Sequence, residues 1–302
     1  MNTINVNDYY NKCSLCPLKC KVDRTNNKVG ICGQTDQLKV AWVGLHKGEE
    51  PPISGTNGSG TIFFSGCSLQ CPLCQNIQIS NSKNPVGKKI LINELVDLFF
   101  ELQGSGATNI NLVTANHFIP SVVKALQLAK ERNLKLPVVY NSSGYEDLNS
   151  FKLIEPFIDT FLIDLKTLDK NVAKKFCKRE DYPIFATKLL DYLYTNQRKT
   201  AIVRHLLFPG ELEATKEVLR YFAKSYKDKF LLSLMVQFIS PVDKSQSVVS
   251  DDTYQQLIEL LEELEIEEGF IQEVGDESMW LPDFTKENPF PKEFAKTIKS
   301  FN

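Results

Sequence analysis

The chain of 302 residues carries 35 basic and 37 acidic side chains, so its net charge is close to zero. It has no Lys/Arg-rich run, and so it lacks the electrostatic footprint of proteins that bind nucleic acid or an anionic membrane surface. Residues 1–12 are polar and contain no apolar core of a signal peptide, and no apolar run approaches the roughly 18 residues of a membrane span. These features predict a cytoplasmic protein with one main domain and an appendage, and they argue against nucleic-acid and membrane partners.

Cysteine usage gives the first positive indication of function. Seven of the eight cysteines fall in the first quarter of the chain, and only Cys177 stands apart. Because the cytosol keeps thiols reduced, spaced cysteine groups in a cytoplasmic protein usually bind metal or perform chemistry. We therefore expect metal centres and no disulfide framework.

Residues 1–57 form a cysteine-rich N-terminal segment with short polar turns and little hydrophobic periodicity. It contains Cys13, Cys16, Cys20 and Cys32. Four thiolates suffice to close a zinc site or to hold an auxiliary iron–sulfur (Fe–S) cluster, and a segment without a large core gains stability from either. The ligand set alone does not choose between zinc and Fe–S.

Residues 58–245 alternate between short runs rich in Val, Ile and Phe and amphipathic stretches of helix length. The short runs predict six strands, at 61–65, 109–114, 137–141, 160–165, 200–208 and 231–238. The longer stretches predict helices near 93–103, 118–131, 146–156, 169–193 and 211–226. This alternation is typical of βα units around a parallel sheet and predicts an α/β fold, a partial (β/α)6 barrel of the TIM type. Residues 246–302 predict a helix over 251–265 and a tail, both packing on the barrel.

Three cysteines follow the first predicted strand, Cys67, Cys71 and Cys74, at intervals of four and three residues. Three thiolates in one loop can ligate three irons of a [4Fe–4S] cluster and leave the fourth iron open. An open iron can chelate S-adenosylmethionine (SAM), and one electron then cleaves SAM to a 5′-deoxyadenosyl radical that abstracts a substrate hydrogen. A structural zinc site fits less well, because it normally has four ligands and the next candidate, His117, lies beyond an entire helix.

The spacing C-x3-C-x2-C at the end of the first strand is the signature of the radical SAM superfamily. Residues 48–55, 58–67, 109–114 and 203–210 narrow the resemblance to its pyruvate formate-lyase activating enzyme-like family, over about residues 13–241. The resemblance implies a radical SAM oxidoreductase that uses a [4Fe–4S] cluster and SAM and is reduced by a flavodoxin- or ferredoxin-like electron donor. It suggests a glycyl-radical enzyme as the protein substrate, while a peptide or a small molecule stays open.

The ends of the second and third strands offer candidate SAM contacts by position. Where the superfamily has a Gly-Gly-Glu segment that binds the SAM amino group, this chain has Thr114, Asn116 and His117. His117 is as readily explained as a capping or core residue. Asn141 and Ser143 lie in a segment similar to the Asp-Thr-Asn-Gly of the activating enzymes, which implies contact with the SAM ribose or carboxylate. An ordinary turn explains these two residues about as well.

The fourth strand ends in Asp164 and Lys166, similar to an Asp-Leu-Lys segment in which the lysine pairs with the SAM carboxylate. A solvent-facing ion pair is the alternative. Arg204 and His205 alternate on the fifth strand, so only one of them faces the barrel, where it is expected to contact SAM or substrate. Leu73 departs from the family pattern, because many radical SAM proteins carry an aromatic residue there, near the adenine.

Glu49 and Glu50 are either substrate ligands that close over the site or an exposed pair in a Pro-rich loop. Cys177 is most simply a small packing residue on a helix. A function from a different class stays open, namely a non-catalytic metal-binding protein that uses both cysteine groups for structure or partner docking. The sequence identifies neither the substrate nor the oligomeric state.

Overall fold

A computed structural model describes residues 4–196, 200–242, 246–274 and 281–302. Its strands are β1 (Leu38–His46), β2 (Ser59–Phe64), β3 (Lys88–Ile90), β4 (Ile110–Val113), β5 (Val138–Ser142), β6 (Thr160–Asp164), β7 (Thr200–Leu206), β8 (Leu231–Met235), β9 (Gln237–Ile239), β10 (Gln246–Val248), β11 (Gly269–Ile271) and β12 (Ala295–Ser300). Its helices are α1 (Asn7–Tyr10), α2 (Pro51–Ser54), α3 (Ile77–Ser80), α4 (Ile92–Gly104), α5 (Ile119–Glu131), α6 (Leu148–Ile154), α7 (Lys170–Cys177), α8 (Tyr182–Asn196), α9 (Leu212–Ser225) and α10 (Asp251–Glu263).

The parallel part of the sheet confirms the predicted partial barrel. Strands β2, β4, β5, β6, β7 and β8 lie side by side in that order, each parallel to the next. A helix follows each of these strands, so their carboxyl ends all meet at one mouth. A seventh strand, β11, pairs in parallel with β8. Its three residues are too few to give a periodic signal in the sequence.

The other edge of the sheet is antiparallel and was not predicted. Strand β1 pairs with β2, and β12 pairs with β1 on its outer side. All but one residue of β1 are buried. The sequence assigned residues 38–46 to the cysteine-rich segment, whereas the structure makes them part of the main sheet. The boundary expected at residue 245 lies outside the described residues.

The single helix predicted over 169–193 is wrong, because the structure has two helices there. Helix α7 begins after Asp169, whose carboxylate accepts hydrogen bonds from the first backbone N–H groups. It ends at Lys178, which has a positive φ of 57°. Helix α8 then carries Pro183 in its first turn. A left-handed residue and a proline so close together cannot lie inside one helix.

Trp42 joins the two antiparallel strands to the rest of the core. Its ring is fully buried and lies in edge-to-face contact with Phe63 and Phe290, at centroid distances of 6.0 and 4.9 Å. Its indole Nε1 donates a hydrogen bond to Thr297 Oγ1 at 3.0 Å. The C-terminal segment is therefore fixed against β1 and β2. No helix among the described residues is long and apolar enough to cross a membrane.

We expect Trp42→Ala to lower the free energy of unfolding by about 3–5 kcal/mol, because it leaves a cavity between the sheet and the aromatic side chains of the C-terminal segment. Thr297→Val, which keeps the ring and removes the hydrogen bonds of Thr297 Oγ1 to Trp42, Glu287 and Asn288, should cost about 1 kcal/mol. Urea unfolding followed by far-ultraviolet circular dichroism measures both. Equal losses for the two variants would show that the ring does not anchor the C-terminal segment.

Candidate active site

One cavity lies at the barrel mouth and gathers most of the residues that the sequence singled out. Its volume is about 370 Å³. The three cysteines Cys67, Cys71 and Cys74 line one side of it. Polar side chains from the ends of β4, β5, β6 and β7 also line it, namely Thr114, Asn141, Ser143, Asp164, Lys166 and Arg204. Residues from separate βα units thus meet around one space of the size that holds a cofactor or small ligand.

The cysteine loop, residues 66–74, contains two residues with a positive φ. Gly66 has a φ of +84°, and a Cβ there would lie 2.7 Å from Cys32 O, so only glycine fits. Gln70 also has a positive φ, and its amide Nε2 donates to Cys67 O at 2.7 Å and Ser80 O at 2.6 Å. These bonds close the loop on itself, so its three cysteines turn towards the cavity.

The three cysteines of this loop are half-buried, and their thiols repel one another when ionised. Burial raises the pKa of Cys67 to about 12, with added repulsion from Cys71 and Cys74. Binding to iron offsets this cost because a metal stabilises the thiolate. Nowhere in the described part of the chain do three His, Cys, Asp or Glu side chains converge on a position for one metal ion.

Lys166 lies inside the cavity wall, paired with Asp164. Its Nζ is 2.5 Å from Asp164 Oδ2. Burial opposes the charge on Lys166, but the Asp164 carboxylate outweighs burial and raises the lysine pKa well above its ordinary value. Tyr182 holds these strand ends together, because its hydroxyl interacts with Ser143 O, Asp164 O and Lys166 N, at 2.8–3.0 Å. Lys166 is therefore a fixed cation at the site, and the solvent-facing alternative does not hold.

Arg204 is the inward residue of the alternating pair on β7, and it binds both glutamates of the Pro-rich loop. Its Nε and Nη2 each lie 2.7 Å from an oxygen of Glu50, and Nη2 also contacts Glu49. Both carboxylates are buried, with side-chain exposures of 5% and 6%, so the interpretation of an exposed pair is wrong. Asn111 and Asn141 donate further hydrogen bonds to Glu49. Burial raises the pKa of Glu50, but Arg204 outweighs that effect and lowers it.

His205, on the opposite face of β7, does not line the cavity. Its Nδ1 lies 2.7 Å from Leu165 O and its Nε2 lies 3.0 Å from Thr215 Oγ1, behind the barrel wall. Burial lowers the pKa of His205 to about 4, so the ring is neutral at pH 7. The structure gives His205 a packing role between β6 and α9, instead of a contact with SAM or substrate.

Asn116 and His117 are also placed outside the cavity. His117 Nε2 lies 2.8 Å from Ser65 O, and burial lowers the pKa of its ring to about 3. Asn116 Nδ2 donates to Ser68 Oγ at 3.1 Å and to Tyr145 O at 3.4 Å. Both residues hold the cysteine loop from behind, and of the three residues expected to replace Gly-Gly-Glu only Thr114 faces the cavity.

The sequence missed the wall formed by the antiparallel edge. His46, at the end of β1, lines the cavity together with Phe63 of β2 and Phe290 from the segment before β12. Gln237 and Gln272 line it from the other edge of the sheet, where β8 pairs with β11. A usable signal was present, since the apolar run of residues 38–45 ends at His46 just before the Gly-Glu-Glu motif. The contribution of residue 290 had no local signal, because it depends on pairing between the two ends of the chain.

The remaining cysteines occupy two places next to the cavity. The thiols of Cys13, Cys20 and Cys32 lie close enough to Cys16 to add to burial in raising its pKa to about 12. Cys177 is fully buried on α7, and its thiol forms a hydrogen bond with Cys71. The N-terminal cysteines thus lie near one another, and Cys177 packs against the cysteine loop.

Glu146 is a buried carboxyl group beneath the Asn141–Gly144 turn. Its Oε1 accepts hydrogen bonds from Ser142 Oγ at 2.5 Å and Tyr140 Oη at 3.2 Å. Burial raises its pKa from 4.5 to about 7, although both hydroxyls partly oppose the shift. Between pH 4.5 and 7 the folded protein therefore binds a proton that the unfolded chain has lost.

A group whose pKa is higher in the folded state stabilises the fold at low pH and loses that contribution as the pH rises through the folded value. We therefore expect the free energy of unfolding to fall by roughly 2–3 kcal/mol between pH 5 and 8 through Glu146. Glu146→Gln keeps the acceptor oxygen without the charge and should remove this dependence. Urea titrations of both proteins at pH 5, 6.5 and 8 measure it, and parallel pH curves would contradict the assignment.

The comparisons with known proteins agree with this geometry. The family model of the Radical SAM superfamily matches residues 61–222. An uncharacterized protein of Methanocaldococcus jannaschii is 25% identical over 244 residues, which cover 76% of this chain and 66% of that protein. This chain thus spans slightly less than two thirds of that relative.

Two solved structures show the same fold. A radical SAM methyltransferase from Sphaerobacter thermophilus matches with a TM-score of 0.53 at 13% identity, over 71% of this chain and 66% of that chain. SuiB of Streptococcus suis matches with a TM-score of 0.52 at 12% identity, over 73% of this chain and 49% of that chain. Since the family model covers more than half of the residues, including the three-cysteine loop and four of the strand ends around it, this chain belongs to the radical SAM superfamily.

Proposed function

We propose that this protein reductively cleaves SAM and uses the resulting 5′-deoxyadenosyl radical to abstract hydrogen from a protein, peptide or small-molecule substrate. Membership of the superfamily implies a [4Fe–4S] cluster and SAM. The observation that carries the proposal is the shared cavity, in which three half-buried cysteines face polar groups from four neighbouring strand ends. A non-catalytic metal-binding role gives no reason for the half-buried cations Lys166 and Arg204 to line the same cavity.

Cys67, Cys71 and Cys74 would hold three irons of the cluster, and no fourth cysteine of this loop completes the set. When bound, the reduced cluster supplies one electron that splits SAM into methionine and the 5′-deoxyadenosyl radical. The loop itself contributes geometry, because the Gln70 amide and the positive φ of Gly66 fix where the thiols point. Leu73, which also lines the cavity, offers an apolar contact where relatives carry an aromatic side chain.

The polar groups of the cavity match the parts of SAM. The Lys166 ammonium can bind the carboxylate of SAM, and the Asp164 carboxylate beside it can bind the amino group of SAM. Asn141, Ser143 and Thr114 offer amide and hydroxyl groups that suit ribose hydroxyls. These groups come from three neighbouring strand ends, so they are held rigidly by the sheet.

We propose that the substrate binds in the part of the cavity lined by Glu49, Arg204 and His46, beside the groups assigned to SAM. Glu49 and Glu50 place two carboxylates against the single guanidinium of Arg204, and burial lowers the pKa of the neighbouring His46, which keeps its ring neutral. This part of the cavity therefore carries an uncompensated negative charge, which favours a substrate that presents hydrogen-bond donors or a cationic group. Backbone N–H groups of a polypeptide meet that requirement, so activation of a glycyl-radical enzyme is one form that the proposal includes. We further propose that a flavodoxin- or ferredoxin-like protein in the cytoplasm reduces the cluster.

Cys71→Ala should abolish formation of 5′-deoxyadenosine, with a decrease of at least about 100-fold, because the cluster loses one of three protein ligands. The protein is reconstituted anaerobically with iron and sulfide, reduced with dithionite in the presence of SAM, and the product is quantified by chromatography with mass detection. Wild-type protein without iron and sulfide is the control. The proposed function fails if the fully loaded wild-type protein forms no 5′-deoxyadenosine.

Lys166→Gln should weaken SAM binding by about 10- to 100-fold, because a buried charge-assisted contact is worth roughly 1.5–3 kcal/mol. Lys174→Gln is the matched control, since Lys174 pairs with Glu180 on the exposed face of α7. Equilibrium dialysis with labelled SAM on reconstituted protein gives both dissociation constants. Equal constants for the two variants would remove Lys166 from the cofactor site.

A further inference from the structure

The four N-terminal cysteines are enclosed by a segment with an unusual backbone. Lys19 and Lys21 both have a positive φ, at 40° and 56°, and so the chain reverses twice between Cys16 and residue 22. Backbone hydrogen bonds from Lys21 N to Cys13 O and from Lys19 N to Cys16 O close the turns. Gly30 completes the enclosure, since a Cβ there would lie 2.6 Å from Cys20 Sγ. Non-glycine residues with a positive φ cost free energy.

Arg24 lies fully buried beside these thiols. Its guanidinium donates to Thr35 O, to His117 O at 2.6 Å and to Cys13 Sγ at 3.7 Å, and it lies 4.5 Å from the centre of the Tyr10 ring. Across residues 4–196 and the other described ranges, no carboxylate pairs with it. The Tyr10 phenol is neutral at pH 7 and supplies no negative charge.

A buried guanidinium without a counter-anion is costly, whereas the same group next to thiolates is compensated. Neutral thiols or disulfides carry no charge and cannot compensate it. Four thiolates bound to a metal centre do, since either a zinc ion or a [4Fe–4S] cluster with four cysteine ligands has a net negative charge. Arg24 therefore indicates that Cys13 and its three neighbours bind a metal centre as thiolates.

The placement of the sulfurs favours a cluster over zinc. A tetrahedral zinc ion, with Zn–S distances of about 2.3 Å, draws its four sulfurs to within about 4 Å of one another. Within the described residues, which include all eight cysteines, no three ligands are gathered around a point in this way. The N-terminal group has this feature in common with Cys67, Cys71 and Cys74, which match the cluster-binding motif of the superfamily.

We propose that Cys13, Cys16, Cys20 and Cys32 bind a second [4Fe–4S] cluster and that Arg24 is its buried counter-cation. The site goes beyond SAM cleavage and stands whether or not the protein cleaves SAM. The N-terminal site also supports the cysteine loop. Arg24 donates a hydrogen bond to His117 O, and the His117 ring contacts Ser65 O directly before that loop.

The test counts metal and sulfide in anaerobically reconstituted protein and in two multiple variants. Wild type should bind about eight irons and eight sulfides per chain, since each cubane holds four of each. The triple variant Cys67→Ala, Cys71→Ala, Cys74→Ala should keep about four of each, and so should the quadruple variant in which the N-terminal cysteines are alanine. The triple variant leaves the N-terminal segment intact, so it decides the matter even if the quadruple variant does not fold. A triple variant that binds zinc, or no iron, overturns the proposal.

The role of Arg24 is tested in the triple variant, where the second cluster would be the sole chromophore. Arg24→Gln should make its reduction potential more negative, because the reduced cluster loses a nearby positive charge, and should speed iron loss to a chelator several-fold. Arg24→Lys should restore both properties in part. Arg132→Gln, which removes an exposed arginine paired with Asp97, is the control. If the Arg24→Gln and Arg132→Gln proteins match in potential and in iron loss, Arg24 is not the counter-cation.

Discussion

Three thiols must be held together, away from water, at the carboxyl end of β2, and much of the surrounding structure serves that requirement. Burial raises the pKa of Cys67 and Cys74, and a metal cluster that binds them as thiolates would offset that cost. Gly66 lets the chain turn under Cys32 O, and the Gln70 amide ties the loop to itself. The barrel then supplies the cofactor groups, because parallel strands end at the same edge.

The two ends of the chain complete the site from outside the repeated βα units. Strand β1 contributes His46 and the loop that follows it contributes Glu49, while β12 and the segment before it hold Phe290 in place through Trp42. The charged group formed by Glu49, Glu50 and Arg204 links this added edge to the far side of the barrel. Apart from Arg204 on β7, the proposed substrate side is built from residues that lie outside the repeated βα pattern.

Local patterns in the sequence predicted the features that depend on nearby residues. All six parallel strands, the order of the barrel and the grouping of the cysteines follow from periodicity and spacing. Long-range contacts could not be predicted. The ion pairs between Arg204 and the two glutamates join residues about 155 apart, and the burial of Arg24 depends on His117, 93 residues away. Alternation on a strand places Arg204 and His205 on opposite faces of the sheet, but it does not say which face lines the cavity. The sequence therefore could not predict that His205 points away from it.

In the proposed function, the cluster held by Cys67, Cys71 and Cys74 has an open iron that binds SAM. Electron paramagnetic resonance of the dithionite-reduced protein, in the variant that lacks the four N-terminal cysteines, tests this binding. We expect the spectrum of a single [4Fe–4S] cluster whose g values shift when SAM is added, because SAM becomes a ligand of the open iron. If SAM leaves the spectrum unchanged, or if the folded protein gives no cluster signal, SAM does not bind an open iron at this loop.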